Sequence, residues 1–316
     1  MSDGLRLNSL ASVPNAQSDF AVSLLQPRQK RDVLLAALKV LAKYPNPAAR
    51  EPIRGLFEHF SADGRKRDPG AFTRRAVLDA WRHVALPADV PLLLQAVNTY
   101  KFLPPGFKED AIMLRTGALL ILNELDDTLA GFQATRLLVD GFSDPMSGEP
   151  ALTAVRVLAS QEQTLPLYLY AMQANDAALV ATLPEVVSEC LRSLMRAPAA
   201  LIPGIVARHG KAESAIIRIG LCDLLIGHEA GAQAPFASQA VAYLTDALTT
   251  MPDLAAYRYL VIAMLTSRRA ELTAAVLQTA RLETHRGRIG VLLEVLDLFA
   301  ANPEIAALAE QLRLRR

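Results

Sequence analysis

The 316-residue chain is 52% hydrophobic but only 6% aromatic, and its 33 Lys and Arg residues against 32 Asp and Glu residues leave a net charge of +1. This composition supplies ample material for a core and excludes a chain-wide positive field that would attract polyanions. Alanine and leucine dominate, and strand-favouring residues do not cluster in alternating runs, so the sequence predicts an all-α protein. No segment has the roughly 18 consecutive apolar residues of a membrane span, so no membrane partner is expected.

The N-terminal segment, "MSDGLRLNSLASVPNAQSDF", differs from the rest of the chain. It lacks the basic region followed by a continuous apolar run that defines a secretory signal, and it has no strong apolar helical face. We therefore expect a poorly ordered tail over residues 1–25. Residues 26–316 are expected to form a single domain.

After the tail, one residue type recurs at a fixed offset from an apolar residue. Five arginines each precede an apolar residue by seven positions, and their separations along the chain are 43, 41, 103 and 40 residues. A gap of 103 accommodates three units of about 34 residues, a period typical of helical-hairpin repeats. The five pairs are Arg31 and Leu38, Arg74 and Trp81, Arg115 and Leu122, Arg218 and Leu225, and Arg258 and Leu265.

The stretch "RDPGAFTRRAVLDAW" resembles the HEAT-repeat signature, in which an Asp-Pro turn leads into a second helix with an early arginine and then an Ala and Leu face. The similarity extends loosely over residues 29–314. It implies a curved α-solenoid of about eight stacked antiparallel helical hairpins, because one hairpin cannot bury its apolar face alone. The matching positions are Asp68, Pro69, Arg74, Ala80 and Trp81.

This resemblance implies structural roles for the residues that carry it. Trp81 is expected in the core, at the position that leucine takes in other units. Asp68 is expected to contact either the free N–H groups of the following helix or the recurring arginine of a neighbouring unit. The residues assigned a role in the repeat itself are Asp68, Trp81, Arg31, Arg74, Arg115, Arg218 and Arg258.

Charge is distributed unevenly between successive parts of the chain. Residues 26–83 contain thirteen Lys and Arg against six Asp and Glu, a balance of +7, whereas residues 121–190 contain two against ten, a balance of −8. Such blocks either orient a partner of complementary charge or only keep the surface solvated, and the sequence leaves both alternatives open. The candidate basic binding patch consists of Arg65, Lys66, Arg67, Arg75 and Arg82.

Motifs for catalysis, phosphate binding or metal binding are missing from the sequence, so no catalytic residue, metal ligand or cofactor is predicted. His228 and Glu229 in "GHEAG" form one potential acid–base pair, which we interpret as a solvated turn. Cys190 and Cys222 stand in apolar helical patterns and are expected to be buried free thiols in a reducing, cytoplasmic environment. The five histidines are dispersed: His59, His83, His209, His228 and His285.

Two enzyme classes share this repeat architecture and remain alternatives. HEAT-like alkylpurine DNA glycosylases use a basic groove with aromatic residues and an acidic residue beside the lesion, and no residue here matches that site. Phycobilin lyases with HEAT-like repeats match only in the repeat. The sequence therefore favours a non-enzymatic scaffold that recognises a protein or peptide through the concave face of the second helices. The alternative is a nucleic-acid-binding or DNA-repair protein that uses the basic N-terminal third.

Overall fold

The computed structural model describes residues 2–103, 108–173, 183–231, 233, 235–251 and 253–315. Over these residues the protein is all-α, as the composition predicts, with nineteen α-helices and one pair of two-residue strands. The strands β1 (Phe102–Leu103) and β2 (Lys108–Glu109) pair antiparallel, with Phe102 opposite Glu109. No helix among the described residues combines the length and the apolar character that crossing a bilayer requires.

The chain forms two compact units, Met1–Glu162 and Gln163–Arg316. The single domain expected for residues 26–316 stays a prediction. A repeating pattern carries no signal for such a boundary, because each repeat contacts only its neighbours. The helices of unit 1 are α1 (Asp3–Ser9), α2 (Pro14–Ser23), α3 (Arg31–Lys43), α4 (Arg50–Ala62), α5 (Gly64–Arg67), α6 (Phe72–Trp81), α7 (Val90–Val97), α8 (Ile112–Leu125), α9 (Asp127–Val139) and α10 (Ala151–Ser160). Those of unit 2 are α11 (Thr164–Gln173), α12 (Pro184–Arg192), α13 (Ile202–His209), α14 (Ala215–Gly227), α15 (Phe236–Thr250), α16 (Leu254–Thr266), α17 (Ala270–Leu282), α18 (Arg286–Leu298) and α19 (Pro303–Arg313).

Residues 1–25 differ from the loosely held tail that the sequence predicts, because most of them form α1 and α2. Leu7 and Ala21 are buried, and both helices pack on α3. The Gln17 side chain donates a hydrogen bond to the carbonyl oxygen of Leu7, 3.0 Å away. These few buried residues do not generate a long apolar face in the sequence, but they are enough to dock two short helices on a neighbour.

In unit 1, four helices that are not consecutive in the sequence pack on one another in a row. Helices α3, α6, α8 and α10 contact one another in succession, and we call them the second helices of unit 1. Each of them is also covered by the helix that precedes it in a pair, which is α2, α4, α7 or α9. Each second helix of unit 1 therefore packs both on the neighbouring second helices and on the helix that precedes it in its pair.

Unit 2 repeats this arrangement with second helices α12, α14, α16 and α18, which also pack in succession. Helices α11, α13, α15 and α17, which we call first helices, alternate with them along the chain. Helices α12 and α14 approach each other closely, since a Cβ atom at Gly220 would lie 2.5 Å from Oγ of Ser188. Any larger residue at position 220 would push these two helices apart.

Candidate functional site

The five recurring arginines all lie near the start of a second helix. Arg31 is the first residue of α3, and the other four occupy the third to fifth positions of their helices. The apolar residues seven positions further on are all buried. These arginines therefore line up along one end of the second helices within each unit. The helices concerned are α3, α6, α8, α14 and α16.

Asp68 is fully buried at the entrance to α6 and performs both of the roles that the sequence left as alternatives. Its Oδ1 accepts the backbone N–H of Thr73 at 2.9 Å, and its Oδ2 accepts the backbone N–H of Arg74 at 3.0 Å. The same Oδ2 accepts Nε of Arg74 at 3.1 Å. Arg31, on the preceding second helix, brings Nη2 to 3.8 Å from Oδ1. One carboxylate thus caps a helix and links two second helices.

Arg115 has a comparable environment on α8, where its side chain is completely buried. Its guanidinium lies 2.7 Å from Glu109 and donates to the carbonyl oxygens of Thr99 and Phe142. It also stacks over the ring of Tyr100, 4.3 Å from the ring centroid. These contacts compensate most of the buried guanidinium, although its Nε has no hydrogen-bond partner among the described residues, and they join the segments on either side of it.

Two of the recurring arginines form a buried ion pair with an acidic residue six positions earlier, and the sequence analysis did not use this spacing. Asp68 precedes Arg74 by six residues, and Glu109 precedes Arg115 by the same distance. The later arginines have different partners. Arg218 donates to Oγ1 of Thr250 at 2.7 Å, and Arg258 forms an exposed ion pair with Glu294 at 3.2 Å, so the buried pairs belong to unit 1.

Trp81 is fully buried between α6 and its neighbours. Its ring centroid lies 5.5 Å from that of Phe57 on α4, and its indole N–H donates to Oδ2 of Asp89 at 3.3 Å. Asp89 is itself buried and pairs with Arg50 at 2.7 Å. A base could not stack on this indole without displacing the packing around it.

The five residues of the candidate basic patch are divided between two elements. Arg75 and Arg82 belong to α6 or follow it directly, and each pairs with a carboxylate. Arg75 lies 3.0 Å from Asp79, and Nε of Arg82 lies 2.6 Å from Glu124. These two cations are therefore already partly neutralised by their neighbours.

The other three basic residues, Arg65, Lys66 and Arg67, form most of the short helix α5 and are exposed. Arg67 donates to the carbonyl oxygen of His59 at 2.8 Å, at the end of α4. A guanidinium at the C-terminus of a helix stabilises the free carbonyl groups there. The candidate basic patch therefore offers a ligand less positive charge than its five residues suggest.

The outward side of the second helices in unit 2, which we call the second-helix surface of unit 2, contains a polar network with apolar residues around it. Nη2 of Arg192 on α12 lies 3.0 Å from Asp223 on α14, and the hydroxyl group of Tyr259 on α16 donates to Asp223 at 2.9 Å. The network therefore joins three successive helices. Burial raises the pKa of Asp223, while Tyr259 and Arg192 act in the opposite direction.

Apolar side chains surround this network on the same surface. Ile216 of α14 is 42% exposed and Tyr259 is 44% exposed. Ile219, Ile226 and Ile262 are half-buried on the same helices. An apolar area around a fixed polar network has the composition of a protein-binding surface.

Two of the histidines and both cysteines are buried. His228, expected on a solvated turn, is instead buried, and its Nε2 lies 2.9 Å from the carbonyl oxygen of Ala197. His209 is also buried, which lowers its pKa. Burial raises the pKa of the Cys190 thiol and raises that of Cys222 to about 12, so neither forms a thiolate at neutral pH. Among the described residues, no three His, Cys, Asp or Glu side chains are grouped to hold a metal ion.

Comparison of the chain with protein-family models, with curated proteins and with solved structures gave no match.

Proposed function

We propose that the chain is a non-enzymatic binding or scaffold module that recognises a protein or peptide through its second helices. In this proposal each unit is a row of four HEAT-like helical hairpins, about eight in the whole chain. The succession of second helices within each unit supports it, and so does the double role of Asp68 at the Asp-Pro turn. The two buried free thiols agree with a reducing compartment, and we assign the protein to the cytoplasm.

The observation that carries this proposal is the second-helix surface of unit 2. Its polar network fixes Arg192, Asp223 and Tyr259 relative to one another before any partner binds. Ile216 and the half-buried isoleucines beside it offer apolar area that a partner would remove from water. Such a preformed surface binds with little cost in ordering, because its side chains are already held in place.

Replacing Ile216 with lysine is expected to raise the Kd of the partner about 30-fold, because losing an interface anchor costs about 2 kcal/mol or more. The partner is first identified by affinity purification with mass spectrometry, and its Kd is then measured for each variant by calorimetry. Leu165→Lys is the matched control. Leu165 is 67% exposed and, like Ile216, is the second residue of its helix, but it lies on the first helix α11. Equal losses for the two variants would contradict the proposal.

Binding to nucleic acid is expected to be weak and nonspecific at physiological salt, since the acidic residues 121–190 repel the same polyanion. Replacing Arg65, Lys66 and Arg67 together with glutamine should therefore change duplex DNA binding by less than about threefold. Fluorescence anisotropy with a labelled duplex at two salt concentrations measures both the affinity and its salt dependence. Tight binding whose salt slope falls by about one unit per neutralised residue would instead support the nucleic-acid alternative.

A further inference from the structure

The C-terminal ends of α17 and α19 lie side by side in unit 2. Nη1 of Arg315, which follows α19, donates to the carbonyl oxygen of Arg281 in the last turn of α17, 2.7 Å away. Leu314 and Leu282 are the chain neighbours of these two arginines, and Arg286 begins α18 after three intervening residues. We call the five residues Arg281, Leu282, Arg286, Leu314 and Arg315 the α17–α19 end surface.

The two leucines of this surface are unusually exposed. Leu314 is 90% exposed and Leu282 is 77% exposed, and no other large apolar side chain among the described residues of unit 2 reaches either value. Each leucine therefore offers apolar area that a partner would remove from water, with a gain of free energy proportional to the area covered.

The three arginines of the surface are exposed and form no ion pair with any described residue. Arg281 and Arg315 lie at the C-terminal ends of helices, where a cation is favourable. That position neither buries the guanidinium nor supplies it with a carboxylate. All three arginines can therefore donate to an anionic group that approaches from solvent.

The carboxylates close to these arginines already have cationic partners. Glu283 is largely buried and pairs with Arg288 at 3.4 Å, and Asp297 and Glu310 both pair with Arg313. With these residues included, five arginines against three carboxylates leave a local balance of +2, compared with +1 for the whole chain. Such a surplus makes the surface complementary to a negatively charged ligand.

We propose that the α17–α19 end surface binds an acidic segment of the partner that carries an apolar side chain between its carboxylates, an inference that rests on the proposed function. Guanidinium groups bind carboxylates with two parallel hydrogen bonds, and clusters of arginine recognise acidic motifs in this way. The apolar side chain of the segment would pack on Leu282 and Leu314 while its acidic neighbours pair with the arginines.

The composition of the surface favours an acidic peptide over other anionic ligands. A nucleic acid would supply phosphates for the arginines, but its charged backbone would offer no apolar side chain to the two leucines. Attraction to an anionic lipid surface is typical of clusters of about four to eight basic residues. The α17–α19 end surface has three arginines, which is enough for the carboxylates of a short segment.

The test uses the full chain labelled with ¹³C in its leucine methyl groups, with the signals of two residues assigned from Leu282→Met and Leu314→Met. The probe is the peptide acetyl-Glu-Glu-Leu-Glu-Glu-amide, and its control has glutamine in place of every glutamate. We expect both signals to shift saturably with the glutamate peptide at millimolar concentrations. The glutamine peptide should bind at least about tenfold more weakly, because it lacks the charge-assisted hydrogen bonds. An equal response to both peptides would overturn the proposal.

A second arm of the test uses vesicles of phosphatidylcholine and phosphatidylserine. We expect the protein to stay in the supernatant when these vesicles are sedimented. Sedimentation with the vesicles, together with no response to the glutamate peptide, would assign the surface to an anionic lipid and refute the proposal. No response to either probe would refute it as well.

Single variants assign the binding to this surface. Arg281→Gln, Arg286→Gln and Arg315→Gln should each raise the Kd of the glutamate peptide about two- to fivefold, the range for an exposed ion pair. The matched control is Arg268→Gln, because Arg268 is exposed, forms no ion pair with a described residue and lies at the opposite end of α17.

Arg268→Gln removes the same net charge as the other variants and should leave the Kd unchanged. An equal loss in all four variants would show attraction to net charge alone and would contradict the assignment. The replaced side chains are exposed, so the variants are expected to fold. The titration needs no partner protein, so its failure is distinct from a failure of the Ile216 experiment.

Discussion

Replacing Trp81 with alanine is expected to lower the free energy of unfolding by about 3–5 kcal/mol, the range for a fully buried aromatic side chain. The indole packs against Phe57 and donates to Asp89, so the variant loses packing and leaves a buried carboxylate with one donor fewer. Urea denaturation followed by circular dichroism measures the loss. In the unmodified protein, the emission of this single tryptophan should be blue-shifted and should move to longer wavelengths on unfolding.

The matched control for Trp81 is Phe132→Ala on α9, because Phe132 is an aromatic residue of the same unit that is 71% exposed. This variant should change the free energy of unfolding by less than about 0.5 kcal/mol. Native emission already at the wavelength of solvent-exposed tryptophan, or a loss below about 1 kcal/mol for Trp81→Ala, would contradict the core position.

Replacing Asp68 with alanine is expected to cost about 3–5 kcal/mol, because it leaves the buried guanidinium of Arg74 without its partner. The same change removes the acceptor for the N–H groups of Thr73 and Arg74 at the start of α6. Asp68→Asn should lie between the wild type and Asp68→Ala, since an amide oxygen can still cap the helix. The measurement is again urea denaturation.

Asp79→Ala serves as the control for Asp68, because Asp79 also pairs with an arginine of α6 but is exposed. An exposed pair four residues apart on a helix contributes only about 0.3–0.5 kcal/mol. If the two variants lost equal stability, the buried position of Asp68 would not matter. The carboxylate would then be no more than another surface charge.

The sequence predicted an all-α protein correctly, because the signal of its helices is periodic. Arg74 and Trp81 share a helical face with a fixed spacing, and that spacing locates α6 without any knowledge of its neighbours. The same spacing leads to Arg115 on α8. The spacing from arginine to apolar residue does not by itself point to Glu109, because the ion pair of Glu109 with Arg115 depends on how the chain returns from β2 into the helix.

Contacts between residues distant in sequence account for what could not be predicted. Counting charges along the chain gave residues 26–83 a surplus, but Arg82 pairs with Glu124, 42 residues away and outside the window. His228 looked like part of a polar turn, although the fold brings the carbonyl oxygen of Ala197 to it. A cavity beside Asp110 is likewise lined by three segments that are distant in the sequence, residues 70–75, 109–114 and 144–147, which no local pattern describes.

Site-specific photo-crosslinking tests most directly whether the second helices are the binding surface. Benzoylphenylalanine is incorporated at position 216 in one sample and at position 165 in another, and the products formed with the partner from affinity purification are compared. Both sites are exposed, lie in unit 2 and occupy the second residue of a helix. The proposed function predicts a crosslinked product at position 216 and none at position 165. A product at position 165 alone would contradict it.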